Sequence, residues 1–420
     1  ASNNTAVGYQ ALEENTTGTG NTAVGATALD ANTTGNHNTA VGVSSMTTLT
    51  TGARNTAVGK NSMLASTTGS FNVGVGYQSL YSHTTGTHNT GVGDHSLANV
   101  TTSGHNTAVG QNSLGTVVTG EKNTAVGSAA LADNTASFNT GLGYLAGGAI
   151  TSGQFNVAVG SHTMDANQTA SNNTAVGHAA LGASTSGDNN TAVGCAALED
   201  NTTGHQVTAF GSGALSNQTT PTRNTGIGFQ AGHGITTGGS NTLLGWECGH
   251  SITTGANNIG IGAGALGSNS PSGTVTTGND NLCIGDNHIA NFFCADTSIS
   301  SSDSRDKTDV TSFNIGLAWI NALRPVTYRW DRRTWYGTEE EPYGTPDGSK
   351  KTQRLHIGFL AQEALAVEQA NGYGSSNDDS LLVNLTDDGM SYGMKYERLV
   401  PILVNAIKEL SAKVTALEGN

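Results

Sequence analysis

The chain has 420 residues, of which 58 are glycine, 11% are charged and 5% are aromatic, and its formal net charge is −14. This length allows two or more domains, but large apolar residues are too scarce for one ordinary globular core. A nucleic-acid partner needs clustered Lys and Arg, and only four basic residues precede position 302, so no nucleic-acid partner is expected. No run of about 18 apolar residues is present, so no membrane insertion is expected.

A seventeen-residue unit that begins with the word N-T-A-V-G repeats through most of the chain. Its first residue stands at Asn4, Asn21, Asn38, Asn55, Asn72, Asn89, Asn106, Asn123, Asn139, Asn156, Asn173, Asn190, Val207, Asn224, Asn241, Asn258 and Asn281. A fixed period of this size indicates a solenoid, in which each repeat is one coil that buries its apolar side against neighbouring coils. We therefore predict a mainly β fold, with a parallel β-solenoid shaft of seventeen-residue coils over 1–285.

Two columns of the repeat predict its packing. The fourth residue after the Asn is always Gly, as at Gly8, which indicates a backbone conformation or a close approach that a Cβ would block. The residue before that Gly is large and apolar, as at Val7, and the residue before Val7 is the small Ala6. We expect the large apolar column to point inward and the small column to let neighbouring chains approach closely.

A second apolar column, eight residues after the Asn, holds Leu or Met in most coils. Where it is missing, an Ile appears three places later; the pairs are Gly147 with Ile150, Gly232 with Ile235, and Gly249 with Ile252. This exchange preserves buried volume and predicts that both positions point into one core.

The core predicted in this way is thin. Two or three inward groups contribute roughly 4–8 kcal/mol per coil, whereas ordering the backbone costs about 1–2 kcal/mol per residue. An isolated chain is therefore marginal, and we infer an intertwined homo-oligomer, most simply of three chains around one axis.

Two further columns are expected to face solvent. The residue before each Asn varies and includes His88 and His105 one coil apart, which could form metal rings around a threefold axis. No H-x-H pattern or acidic partner accompanies them, so we interpret them as exposed polar positions and predict no metal and no cofactor. Another column holds Tyr9, Tyr77, Tyr144, Phe229 and Trp246, which could be platforms for glycans or ordinary outer packing.

The composition changes at Ser302, beyond which lie thirteen of the seventeen basic residues. After a junction over 286–301, helices are predicted over 313–323 and 361–370, and strands over 326–330 and 355–360. The tail, over about 396–418, carries apolar residues at alternating spacings of three and four, namely Val400, Leu403, Ile407, Leu410, Val414 and Leu417. This pattern favours a coiled coil, although one amphipathic helix packed on a globular domain would show it too.

Four segments of this region are SDSRDKTDV (302–310), LRPVTYRW (323–330), HIGFLAQE (356–363) and KYERLVPILVNAIKEL (395–410). They resemble the self-cleaving intramolecular chaperone domain, of endosialidase or peptidase S74 type, that ends phage tail spikes and fibres. The repeats resemble the left-handed parallel β-roll of trimeric adhesin heads and the shafts of some phage tail fibres. The resemblance implies a trimeric β-roll, followed over 302–420 by an α+β chaperone domain ending in a trimeric coiled coil. Asp306 departs from the family, which usually has an apolar residue there.

The resemblance also assigns a self-cleavage site. It implies that Ser302 is the nucleophile, that Lys307 is its partner, and that the scissile bond joins Ser301 to Ser302, while Asp303 and Arg305 could orient the loop. A serine hydroxyl needs a nearby base, and a lysine desolvated on trimer assembly can lose its proton and serve as that base. The expected activity is a single-turnover serine peptidase with no external substrate.

These features predict a homotrimeric fibre that contacts a glycan or protein receptor on a host or prey cell surface. The leading hypothesis is a virion tail fibre. The alternative is a bacterial surface adhesive fibre with the same chaperone. A glycan-degrading tail spike would need paired carboxylates in a groove, and Glu13–Glu14 and Glu199–Asp200 are isolated pairs on turns. The chain begins at Ala1 without Met and without a signal peptide, which we interpret as the distal piece of a fibre with upstream segments.

Overall fold

The computed structural model describes residues 1–289, 307–337, 343–385 and 392–419. These residues form two compact units, one over 1–265 and 276–284 and the other over 266–275 and 285–420. The first unit contains a single parallel sheet of seventeen strands, and the described residues of the second contain three α-helices, two 3-10 helices and two antiparallel strand pairs.

Each strand of the large sheet is three residues long, and one strand falls in each repeat. Strands β1 to β17 are Thr5–Val7, Thr22–Val24, Thr39–Val41, Thr56–Val58, Val73–Val75, Thr90–Val92, Thr107–Val109, Thr124–Val126, Thr140–Leu142, Val157–Val159, Thr174–Val176, Thr191–Val193, Thr208–Phe210, Thr225–Ile227, Thr242–Leu244, Ile259–Ile261 and Leu282–Ile284. Every strand pairs in parallel with the next at a register of one coil, as Thr5 with Thr22. The predicted parallel solenoid is confirmed.

The glycine that follows the strand is required for two reasons in most coils, as Gly8 shows. Gly8 has a φ of 138°, a conformation that side chains rarely adopt. A Cβ on Gly8 would lie 2.5 Å from the carbonyl oxygen of Gly25 in the next coil. The column therefore combines the unusual conformation and the close approach that the sequence predicts.

The second apolar column fills the interior of the coils. Leu29, Met46 and Leu80 are completely buried, and their φ values lie near 50–55° in the left-handed region. Gly147 takes this conformation without strain, at a φ of 64°, and a Cβ there would lie 2.9 Å from Cδ1 of the buried Ile150. The predicted exchange between the two core positions is confirmed.

The expected direction of the strand side chains was wrong. The small column points inward, where Ala23 is completely buried, and the large column points outward, where Val24 is 36% exposed. Successive side chains of a strand alternate between its faces. The interior beside the middle residue is already occupied by the Leu and Met column, since a Cβ on Gly74 would lie 3.0 Å from Cγ of Met63.

The first residue of the repeat forms a buried ladder of asparagines. The side-chain oxygen of Asn21 accepts the amide of Asn38 at 2.8 Å, and its Nδ2 donates to the carbonyl of Gly35 at 2.8 Å. The pattern recurs from coil to coil and satisfies backbone groups that would otherwise be buried without partners. Val207, which has no side-chain oxygen, interrupts it before Asn224.

The second unit follows the predicted order of elements. It contains α1 (Leu317–Ala322), β18 (Val326–Tyr328), a short 3-10 helix (Arg333–Tyr336), β19 (His356–Gly358), α2 (Ala361–Gln369), β20 (Val383–Leu385), β21 (Tyr392–Met394), a second 3-10 turn (Tyr396–Arg398) and α3 (Leu399–Glu418). Strand β18 pairs with β19 and β20 with β21, both antiparallel. The buried core is formed by Trp319, Leu323, Ala364, Leu382, Val383, Leu399 and Ile402.

Candidate processing and assembly sites

The predicted self-cleavage site is described only in part. Ser301, Ser302, Asp303 and Arg305 lie outside the described residues, and Lys307 is described and exposed. The pairing of Ser302 with Lys307 therefore stays a prediction.

The backbone that follows Lys307 is held by α3. Nδ2 of Asn405 donates hydrogen bonds to the carbonyl oxygens of Phe313 and Ile315, at 2.7 and 3.2 Å. The amide of Leu317, at the first turn of α1, donates to the carboxylate of Glu409 at 3.3 Å. Helix α1 begins at Leu317, directly after the backbone that Asn405 contacts and later than the sequence predicts.

A buried carboxylate fastens a second segment of the unit to α2. Glu368 is completely buried and accepts the hydroxyl of Ser380 at 3.0 Å, the amide of Leu381 at 3.3 Å and the amide of Leu382. These donors satisfy the carboxylate oxygens that burial removes from water. In the same region, burial lowers the pKa of Lys395, and the charge of Arg398 lowers it further.

Helix α3 has one buried face and one exposed apolar face. Leu399, Ile402 and Ala406 are buried, and α3 packs on α1. The six predicted coiled-coil residues, from Val400 to Leu417, are all exposed, between 42% for Leu403 and 78% for Leu417. We call these six residues the α3 seam. Packing within the described residues therefore does not account for the apolar pattern of the α3 seam.

The solvent-facing stripe of the shaft contains stacked rings. Phe71 and His88 stack at 5.0 Å between ring centroids, His88 and His105 stack at 4.9 Å, and the guanidinium of Arg54 lies 5.2 Å from the centre of the Phe71 ring. In the described parts of the chain, no three His, Cys, Asp or Glu side chains are grouped to hold a metal ion.

The second predicted outer column is also exposed. Tyr9, Tyr77, Tyr144, Phe229 and Trp246 are each about half exposed or more. The Tyr77 and Tyr144 rings make edge contacts with His95 and His162 of the following coils, both at 5.4 Å. These rings are thus available to a ligand as well as packed along the shaft, and both interpretations from the sequence remain open.

The acidic pairs considered for a glycan-degrading enzyme lie on the surface of the coils. Glu13, Glu14, Glu199 and Asp200 are all exposed. Burial raises the pKa of Asp30 in the second coil, and the carboxylates of Glu13 and Glu14 raise it further. Over the described ranges, no helix is both long and apolar enough to cross a membrane.

Comparison with known families agrees with the C-terminal part of this picture. Residues 302–373 match the family model described as chaperone of endosialidase. No curated protein and no solved structure matches the chain. The molecule thus combines a parallel β-solenoid with a C-terminal region that matches the chaperone-of-endosialidase family model over residues 302–373. That combination fits a tail-fibre type protein with an intramolecular chaperone.

Proposed function

We propose that this chain is one subunit of a homotrimeric fibre, carried by a virion or another extracellular surface, that contacts a cell-surface receptor. Its chaperone domain, over 302–420, drives the chains together through α3 and then cuts the chain before Ser302. The observation that carries the proposal is the exposed α3 seam, within a chain whose residues 302–373 match a family of fibre chaperones.

The seam supports association with identical helices. Its six apolar side chains recur at spacings of three and four and stay exposed, while the adjacent face of α3, with Leu399, Ile402 and Ala406, is buried. Each such side chain gains about 1.5–3 kcal/mol when it is transferred from water into an apolar interface. Three parallel copies of α3 would bury the whole row at once, as coiled coils do.

The same helix offers a route from assembly to cleavage. Asn405 and Glu409 fix the backbone of 313–317, which follows closely on Lys307. Lys307 is exposed in the single chain, and we propose that the neighbouring chains bury it, so that its amine can release a proton and act as a base.

The proposed reaction consumes only water. The Ser302 hydroxyl oxygen attacks the carbonyl carbon of Ser301 while the Lys307 amine takes the hydroxyl proton. The peptide C–N bond then breaks, and the released Ser302 amine receives that proton. Water finally hydrolyses the ester, leaving a carboxylate on Ser301 and restoring the Ser302 hydroxyl.

Cleavage is tested by intact-mass spectrometry of the full chain after expression. We expect fragments 1–301 and 302–420 from the wild type, and only uncut chain from Ser302→Ala and Lys307→Ala. Ser304→Ala and Lys351→Ala are the matched controls and should be cut like the wild type. An uncut wild type, or a cut Ser302→Ala chain, would contradict the proposed reaction.

Receptor contact is proposed for the exposed aromatic column of the shaft. A weak site repeated along three chains gains strength by avidity, so single contacts need not be tight. An array of bacterial surface polysaccharides tests this role with the purified trimer. We expect Tyr144→Ala and Trp246→Ala to weaken binding to any polysaccharide that the wild type retains, and Ser161→Ala, in the same column, to leave it unchanged. Equal binding by all three variants would exclude this column as the receptor site.

A further inference from the structure

The first and third residues of strands β1 to β17 form one continuous outer face of the shaft, which we call the outer strand face. It consists only of Thr, Val, Leu, Ile and Phe, without a single charged or amide side chain. The neighbouring columns do carry charges, for example Lys60 and Asp94. A long uncharged face of this kind on an otherwise acidic protein indicates a surface that is covered by another molecule.

The outer strand face is not uniform along the shaft. From β1 to β12 its third residue is Val in every strand except β9, which has Leu142. In the last five strands, this position holds larger side chains, all exposed, namely Phe210, Ile227, Leu244, Ile261 and Ile284. The first position changes as well, because it holds Thr or Val from β1 to β15 and the larger, exposed Ile259 and Leu282 in β16 and β17.

We infer that strands β13 to β17 are the segment at which the shafts of three identical chains are pinned together, and that shaft assembly spreads from there towards β1. This inference rests on the proposed trimer. The occupant of the outer strand face is therefore a second copy of this chain.

The size and composition of the face favour a second copy over a receptor. At about 4.8 Å per strand, seventeen strands make a stripe roughly 80 Å long, and a width of about 10 Å gives roughly 800 Å². That is about the area that each partner buries in a stable protein interface. A glycan would need hydrogen-bonding groups, and the last two strands, β16 and β17, carry Ile259 and Leu282 where most strands carry a Thr hydroxyl.

The position of the enlarged residues sets the direction of assembly. They occupy the coils that directly precede, in sequence, the chaperone domain that is proposed to bring the chains together. Burial of larger apolar side chains gives the strongest contact first. The Thr–Val coils can then add one at a time, because each coil contacts mainly its neighbours.

Two lysine variants of the full chain test the direction of assembly. Ile261→Lys and Val41→Lys place the same charge in the same column, at positions that are 40% and 36% exposed. The readouts are molecular mass by light scattering and hydrogen exchange of the shaft amides. For Ile261→Lys we expect at least about tenfold faster exchange along the whole shaft. For Val41→Lys we expect faster exchange only in the first few coils.

Equal effects of the two lysines, or a local effect of Ile261→Lys, would overturn the inference. If the lysine variants keep the hydrogen-exchange protection of the wild type but lose polysaccharide binding, the outer strand face would instead be a receptor-binding surface. A monomeric wild type would refute the proposed trimer itself, which is a separate result.

An uncharged variant distinguishes a loss of contact between chains from misfolding of the coil itself. Replacing Phe210, Ile227, Ile261 and Ile284 together by Val gives these coils the residue that the upstream coils already carry. We expect this variant to form trimers that assemble at least about tenfold more slowly after dilution from denaturant, whereas Leu142→Val should assemble at the wild-type rate. Wild-type assembly kinetics of the fourfold variant would overturn the inference.

Discussion

His83 makes the shaft sensitive to acid. It is completely buried in the fifth coil, where its Nε2 lies 2.9 Å from the carbonyl oxygen of Gly86 and its Nδ1 lies 2.6 Å from the hydroxyl of Ser66. A carbonyl oxygen can only accept a hydrogen bond, so Nε2 carries the proton and Nδ1 accepts from Ser66. Burial lowers the pKa of His83 to about 4, against a smaller opposing effect of the Gly86 carbonyl.

The sign and size of the effect follow from linkage. The histidine pKa is 6.5 when unfolded and about 4 when folded, so between these values the unfolded chain binds the additional proton. The contribution of His83 to stability is therefore constant well above pH 6.5, falls as the pH drops towards 4, and then levels off. At about 1.36 kcal/mol per pKa unit, the loss between pH 7.5 and 4.5 is about 2.5 kcal/mol per chain.

His83→Asn should remove this loss, because Asn occupies the same place in other coils. Asn32 there donates to the carbonyl of Gly35, the equivalent of Gly86. We expect thermal unfolding, followed by circular dichroism at pH 7.5 and 4.5, to show a smaller acid shift for His83→Asn than for the wild type. His37→Asn, at an exposed position that is Asn in other coils, is the control and should show the same acid shift in thermal unfolding as the wild type. An identical acid shift in His83→Asn and the wild type would refute the reasoning.

Three further predictions concern the repeat and the α3 seam. Gly42→Ala should destabilise the shaft by more than about 3 kcal/mol, because its φ is 140° and its Cβ would lie 2.4 Å from a carbonyl oxygen; denaturant unfolding measures this. Asn106→Val should lower the free energy of unfolding by roughly 2–6 kcal/mol, because it leaves the buried amide of Asn123 and the buried carbonyl of Gly120 unpaired. Val207→Asn should raise the free energy of unfolding by about 1 kcal/mol, because it restores the asparagine ladder. Leu410→Glu should convert the trimer to single chains in light scattering, because it places a charge in the seam.

The glycine and seam predictions each have a control within the chain. Gly264→Ala should be tolerated, because Gly264 has a φ of 63° with nothing within 4 Å of its Cβ position, and Ala occupies the same column at Ala129. Lys408→Gln changes an exposed residue of α3 outside the seam and should leave the trimer intact. Equal losses in Gly42→Ala and Gly264→Ala would show that the φ of 140° is not what restricts the column. A trimeric Leu410→Glu chain would show that the seam is not the contact.

The coil architecture was predictable because aligned repeats show which positions of the coil tolerate only one kind of residue. Seventeen aligned rows separate the invariant glycine from variable columns, and the three Gly–Ile exchanges reveal two positions that share one interior. The direction of the strand faces was not predictable in the same way. A three-residue strand shows which residues share a face, but Thr, Ala and Val do not reveal which face is buried. The decisive fact is three-dimensional: the left-handed backbone at Leu29 places its side chain in the interior beside Ala23.

The candidate sites also combine features that the sequence predicts with features that depend on the fold. The α3 seam was readable from its spacing, whereas its exposure depends on which face α1 covers. The contacts of Asn405 and Glu409 join residues about ninety positions apart, so a local sequence pattern does not predict them. His83 occupies a column in which other coils carry Asn, so its burial follows from the fold and not from its neighbours in sequence.

The interruption of the asparagine ladder falls in the coil where the outer strand face enlarges. Val207 removes a buried acceptor, and three residues later Phe210 is the first large ring of the outer strand face, 56% exposed in the single chain. Within one coil, an internal hydrogen bond is thus given up while apolar surface available to other chains increases. If that surface is buried between chains, Val207→Asn should stabilise the shaft within each chain without making the trimer assemble faster. Faster assembly of Val207→Asn would instead mean that the order of the single coil limits the pairing of chains.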